Sequence, residues 1–203
     1  MHKEILSEDQ LKLLPTLKQF SRSFGLVGGT AIAFQIGHRR SIDFDMFTNK
    51  KFSNASIKKI FDDNWGVKEI HTNRLDELTF ICRKVKFTFF RYIYKIEYSK
   101  KLDSIVKMPD LLTLAAMKAF ALGQRAKWKD YVDLYFIMRD FYKLSEIAKK
   151  GEEIFKSEFN EKILRVQLGY FDDVRYEEAV EFMPGFEVSD KEIKKKLIEY
   201  SLE

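Results

Sequence analysis

Hydrophobic and polar positions follow two different periods along this chain, and the change from one to the other divides it near residue 105. Ser7 and Gln10 have the spacing of a capping box, which predicts a helix running toward Phe20 that Pro15 interrupts or restarts. Residues 24–27 are a short apolar run ended by Gly28-Gly29, the pattern of a buried strand entering a turn. TAIAFQIG then predicts two helical turns closed by Gly37, and IDFDMF, residues 42–47, alternates as a strand does. Ser53 is placed to cap a helix reaching Asn64, and three runs rich in β-branched and aromatic residues follow, GVKEIHT, ELTFICR and VKFTFFRYIY.

After Pro109 the period lengthens to that of helices, over residues 110–123, 129–142, 145–157 and 160–168 and again from Ser189. The expected architecture is an α/β (α+β) core over residues 1–105, with a sheet flanked by helices, and a helical lobe over residues 106–203. The cleft between the two is the default ligand site.

Side chains two apart on a strand share a face, so Asp43 and Asp45 are expected to project together while Ile42, Phe44 and Met46 turn to the core. Two carboxylates that close repel each other unless a cation sits between them. Mg²⁺ suits the pair, because it takes one or two carboxylates and completes its shell with waters and substrate phosphates. Gly28 and Gly29 let a ligand approach the backbone, and the amides opening the next helix bind phosphate, with the Thr30 hydroxyl as a further donor. A Gly-Gly pair alone also makes an ordinary tight turn, and an Asp-x-Asp strand alone also faces plain solvent. Phosphate on one side and metal on the other together imply a nucleoside triphosphate.

Composition adds bounds. The 203 residues are 45% hydrophobic with 19 Phe, enough apolar area for a core without a metal or disulfide staple. The single cysteine, Cys82, and three scattered histidines, His2, His38 and His71, offer no disulfide and no zinc spacing, which points to a cytoplasmic protein. No signal peptide pattern opens the chain, and the most apolar stretch, 111–123, is short and broken by Lys118, so no membrane partner is expected. A net charge of +5 is compatible with an anionic partner and equally with a Lys-rich surface.

GGTAIAFQIGHRRSIDFDMF resembles the signature of nucleotidyltransferases with the polymerase-β-like fold, and specifically the bacterial AbiEii/AbiGii-type toxins. DLLTLAAMKAFALGQRAKWKDYVDLYFIM and GYFDDVRYEE resemble two later segments of that family, so the likeness covers most of the chain. It implies a nucleotidyltransferase-type mixed sheet and Mg²⁺-dependent transfer of a nucleoside monophosphate from an NTP to an acceptor. The acceptor implied is RNA, at the 3′ end of tRNA, and the chain is implied to be the toxin of a toxin–antitoxin (abortive infection) pair with a cognate antitoxin protein. By position, Asp43 and Asp45 are implied as metal ligands, Gly28, Gly29 and Thr30 as the phosphate turn, and Lys118, Arg125 and Asp130 as completing the site.

Leu111, Leu114, Lys118, Leu122 and Arg125 recur at helical spacing, so both cations share a stripe with leucines and call for an anion, which a triphosphate in the cleft supplies. Asp130 and Asp133 are also placed to complement a helix dipole. Arg39 and Arg40 read equally as phosphate ligands, Arg40 for the nucleotide, or as partners of surface acids, and His38 as structural. Many transferases of this fold carry a third carboxylate, and Thr88 stands where it is sought; Glu77 or Asp130 are the available substitutes. Two other readings stay open for that reason: a catalytically impaired nucleotide-binding or regulatory relative, and a transferase acting on a protein or an antibiotic. Asp172 and Asp173 read as turn and capping residues.

Overall fold

The computed structural model describes residues 1–203. Helix α1, Glu8–Leu13, opens with the expected capping box: Ser7 Oγ accepts the Gln10 amide and the Gln10 side chain accepts the Ser7 amide. Pro15 sits in the first turn of a 3₁₀ segment, Leu14–Phe20, where its missing N–H costs nothing, so the helix tightens there instead of ending. Strand β1, Gly25–Val27, runs directly into α2, Gly28–Ile36, which Gly37 closes at φ 78°. Strand β2 is Asp43–Thr48, and α3, Asn54–Asn64, starts at Ser53, whose side chain accepts the Ser56 amide.

Strands β3 (Glu69–Arg74), β4 (Glu77–Cys82) and β5 (Val85–Arg91) complete a five-stranded mixed sheet in the order β1-β2-β5-β4-β3. Only β2 and β5 run parallel, and they are the central pair that brings residues from opposite ends of this half together. A small hairpin follows, β6 (Lys100–Leu102) and β7 (Val106–Met108), then helices α4 (Leu111–Leu122), α5 (Trp128–Asp140), α6 (Leu144–Phe155), α7 (Glu161–Leu168) and α8 (Asp190–Leu202).

One face of the sheet is covered by a Phe-rich layer from the 3₁₀ segment and α3. Phe61 lies 4.6 Å from Phe87 and 4.8 Å from Phe80 between ring centres, and Phe20 lies 4.9 Å from Phe89. Buried aromatic pairs at such distances dominate core energetics and set the register of the strands they come from. A single apolar cluster extends from Ile5 to Leu197, with α2 packed between the sheet and α4 and α5. No helix is long and apolar enough to cross a membrane.

Three local expectations give way, and one element goes unforeseen. The strand expected over 66–72 begins at Glu69, because Gly66 adopts φ 75° and its amide closes α3 onto the Phe61 carbonyl. The run expected to continue through Tyr94 leaves the ladder after Arg91, since Tyr94 packs edge-on against Phe120 and Phe155 of the helices. The β6–β7 hairpin carries no alternating signal; burial of Leu102, Val106 and Met108 holds it. Ile42 precedes the strand and is 55% exposed, so only Phe44 and Met46 enter the core.

Candidate active site

The open face of the sheet, the N-terminus of α2 and the facing parts of α4 and α5 enclose a groove of about 790 Å³. Both strand carboxylates, Asp43 and Asp45, line it, as do Gly28 and Gly29. The pairing of Val27 with Asp45 across β1 and β2 sets the turn directly opposite the second carboxylate. Gly28 has φ 71°, and a Cβ built on it would overlap Asp45 Oδ2, so only glycine fits this position. Val27 provides no side-chain cap for α2, and the first amides of any helix lack intrahelical partners.

Burial and the neighbouring charge of Asp43 push the Asp45 carboxyl above the usual carboxylate range. That is the electrostatic demand for a cation inferred from the sequence. One is already present, because the register places Lys86 beside Asp43, with Nζ 2.8 Å from Oδ2. Thr88 is the β5 partner of Asp45, and Thr79 on β4 is the next neighbour, so the row that a third carboxylate would join carries two hydroxyls. No cluster of three or more His, Cys, Asp or Glu side chains is poised to cage a metal. The two substitutes are both committed: Glu77 accepts from Arg74 at 2.6 Å, and Asp130 from Lys118 at 2.7 Å.

Lys118 corrects a step of the sequence reasoning. It is buried, but the anions that satisfy it are internal, Asp130 at 2.7 Å and Asp133 at 3.1 Å, and a triphosphate is not needed for that purpose. Asp133 does not serve a helix dipole at the surface. It is fully buried and receives Arg39 in a two-pronged pair, Nε to Oδ1 at 2.7 Å and Nη2 to Oδ2 at 2.8 Å, plus His38 Nε2 at 2.8 Å. Burial alone would raise this carboxyl, yet Arg39 and Lys118 more than offset it and hold Asp133 well below the usual range. Arg39 therefore binds neither surface acid nor solvent: it lies beneath the turn, where a Cβ on Gly29 would be 2.5 Å from its Nη2.

Other expected residues fall as follows. Thr30 lines no part of the groove; its hydroxyl is engaged with the Asp43 carbonyl and sits 2.8 Å from Ser41 Oγ, which ties α2 to the start of β2. Arg40 points away to Glu181, 2.7 Å distant, and is not in the groove. Arg125 is in the groove, half exposed, with Nε 3.3 Å from Asp130. Asp172 and Asp173 stay in an exposed turn. Glu178, which the sequence did not single out, reaches into the groove and pairs with Lys127 and Lys129, each at 3.1 Å, and these bonds pull it down to about 2 against the opposing effect of burial. Seven Lys or Arg side chains and five Asp or Glu line the groove; Arg39 and Lys118 are held by the buried Asp133 and Arg91 by Asp76, which leaves Arg125, half exposed, with Lys127 and Lys129 as the cations nearest to solvent on the helical side.

His38 supplies a pH test of the buried network. Asp133 only accepts, so His38 Nε2 carries the proton between them, and the buried Nδ1 is left without a partner. Burial lowers the His38 pKa below its ordinary 6.5. Below pH 6.5 the unfolded chain therefore binds a proton that the folded chain refuses, and stability falls as the pH is lowered. The expected result is a melting temperature that declines below pH 6.5, with His38→Gln, which keeps the donor to Asp133, flattening the decline. An unchanged slope in His38→Gln refutes the assignment.

Residues 13–197 match the family described as "Nucleotidyl transferase AbiEii toxin, Type IV TA system". The chain is 34% identical over 182 residues to the uncharacterized protein aq_aa25 of Aquifex aeolicus (strain VF5), covering 87% of each. Its fold is similar to the crystal structure of a candidate nucleotidyltransferase from H. pylori, at TM-score 0.61 and 17% identity over 97% of this chain and 94% of that one. It is similar also to MenT4, a nucleotidyltransferase toxin from Mycobacterium tuberculosis H37Rv, at TM-score 0.58 and 12% identity over 95% and 80% of the two chains. The resemblance read from the glycine turn and the Asp-x-Asp strand is borne out over nearly the whole length, and the chain belongs to the AbiEii family of nucleotidyltransferase toxins of type IV toxin–antitoxin systems.

Proposed function

We propose that this nucleotidyltransferase transfers a nucleoside monophosphate from an NTP to the 3′ end of an RNA, with tRNA as the acceptor, in a Mg²⁺-dependent reaction. The observation that carries the reading is the arrangement of Asp43 and Asp45 opposite the Gly28-Gly29 turn in one groove. Asp43 and Asp45 would hold one Mg²⁺, which would supply charge neutralisation at the phosphates. Gly28 and Gly29 present backbone to the phosphates, Arg125 and Lys127 add charge from the helical side, and residues 106–203 act as the lobe that closes the groove.

Transfer of this kind depends mainly on positioning and electrostatics. Lys86 beside Asp43 and the hydroxyls of Thr88 and Thr79 beside Asp45 leave the strand row without a third carboxylate, and this reading asks for one metal ion. A cognate antitoxin protein is the expected partner of the chain.

The test is incubation of the purified protein with Mg²⁺, each labelled NTP and tRNA. Label at the RNA 3′ end is expected; binding of NTP with no label on RNA overturns the reading. The second reading, a relative that binds nucleotide without transfer, is favoured by Thr88 in the acidic row. It predicts that growth arrest survives loss of the strand carboxylates. Offering protein or antibiotic acceptors in the same assay separates the third.

Gly28→Ala tests the turn. A side chain at φ 71° costs about 1–2 kcal/mol, and the added Cβ must push Asp45 aside. The expected outcome is a modest loss of melting temperature with NTP affinity reduced at least about tenfold, since displacement of the turn and of the carboxylate act together. Wild-type affinity in a folded Gly28→Ala protein would show that the phosphates lie elsewhere.

A further inference from the structure

The groove face of the sheet is laid out in three rows. Pairing sets Asp43 beside Lys86, Asp45 beside Thr88, and Phe47 beside Phe90; across β5, the β4 neighbours are Ile81, Thr79 and Glu77. The residues between them, Phe44, Met46, Phe87, Phe89, Leu78 and Phe80, are all buried on the opposite face, so these three rows share the open one. Along β2 the groove face therefore passes from two carboxylates to the Phe47 ring, and along β5 from Lys86 through the Thr88 hydroxyl to the Phe90 ring. Successive rows lie two residues apart, about 6.7 Å, which is the scale of a sugar.

The aromatic end is a surface and not only an extension of the core. Phe47 and Phe90 are half-buried, with ring centres 5.3 Å apart, and both line the groove. Tyr92 stands 5.2 Å from Phe47, and Phe120 of α4 also lines the groove. A ligand that is anionic where a cation links it to the carboxylates, polar over Thr88 and planar over the rings matches this face. A nucleotide has that order of parts.

We propose that Phe47 and Phe90 form a nucleobase subsite, on which a base stacks while its sugar lies over Thr88 and its phosphate lies at Asp45 and the glycine turn. The proposal rests on the nucleotide reading above and adds the place and chemistry of base recognition. Stacking on aromatic rings is tolerant of base identity, so this surface provides affinity without choosing among the four bases. The same chemistry is offered by the donor NTP and by the terminal nucleotide of an RNA acceptor.

Calorimetry on the full chain with Mg²⁺ compares inorganic tripolyphosphate, each NTP, and a short single-stranded RNA with or without its 3′-terminal base. Phe47→Leu and Phe90→Leu keep apolar volume and remove the aromatic face. The expected result is that each weakens NTP binding by roughly tenfold, the scale of one base–aromatic stack, and leaves tripolyphosphate unchanged, while Phe90→Tyr retains wild-type affinity. If the loss falls instead on the RNA that carries its terminal base, the base held is the acceptor's, and the subsite stands. Leucine variants that leave both affinities unaltered, with tripolyphosphate still bound, overturn the subsite and spare the nucleotide reading. Failure of the wild type to bind tripolyphosphate and NTP alike sinks that reading and the subsite with it.

Discussion

Asp45→Asn cripples nucleotide transfer, with an expected loss of about two to three orders of magnitude, while the folded protein melts at the same temperature as the wild type or higher. The first half follows from the proposed role of Asp45, which stands opposite Gly28 and would share with Asp43 the cation held against a bound phosphate; removal of a single preorganised electrostatic group from a site commonly costs 10²–10³-fold. The second half follows from the cost of holding that charge. Burial and Asp43 push the Asp45 carboxyl upward, so its ionised form weakens the empty fold and a neutral isostere relieves the strain. The sign is opposite to that of His38: stability contributed through Asp45 increases as the pH falls through its raised pKa, and Asp45→Asn removes this increase. Thermal melts with and without Mn²⁺ and NTP, run beside the labelling assay, check both halves. A variant that keeps transfer, or that loses it only by unfolding, refutes the assignment.

Asp133→Ala is the substitution expected to cost the fold most. Asp133 is fully buried, and its loss leaves Arg39 and Lys118, buried themselves, facing only Asp130. Removing one partner from a buried ionic network typically costs about 3–5 kcal/mol, because the charge left behind stays desolvated. For a chain of this size that lowers the melting temperature by roughly 10 °C. The consequence extends to the groove: Arg39 lies against Gly29, so its release loosens the phosphate turn, and NTP affinity falls in protein that remains folded. Asp133→Ala melting within 2 °C of the wild type would show that Lys118 and Arg39 find other partners. Asp130→Ala is the informative comparison, since Lys118 then keeps Asp133 and Arg125 is half solvated, and its expected loss is smaller.

The strand carboxylates and the glycine turn were legible because each is a local pattern: period-two alternation puts Asp43 and Asp45 on one face, and a helix opening on Gly28-Gly29 follows from the end of an apolar run. Most helix starts were legible for the same reason, since Ser7, Ser53 and Ser189 cap by contacts within three residues. Asp133 carried a usable signal that was misread. It lies in the run Tyr131–Met138, nearly all apolar, and a charge inside such a run calls for buried partners more than for a dipole.

Glu178 and Lys86 carried no comparable signal. Glu178 meets Lys127 and Lys129 across about 50 residues, and Lys86 meets Asp43 only through the parallel pairing of β2 with β5. The same holds for the Lys118 stripe, where spacing required an anion and could not say whose. The β6–β7 hairpin belongs with them, as its strands are too short and too charged to declare themselves.

The sequence by itself determined which elements form, which strand face bears the acids, where the backbone can approach a ligand, and the family, since all of these follow from the order of residues along the chain. Only the tertiary structure decided which charges are already satisfied, that Arg40 and Thr30 turn away from the groove, and that acids, hydroxyls and aromatic rings meet on one face of three strands. Those outcomes depend on strand register and on distances between residues far apart in the chain, and Coulombic and stacking interactions act through such distances, not through sequence separation.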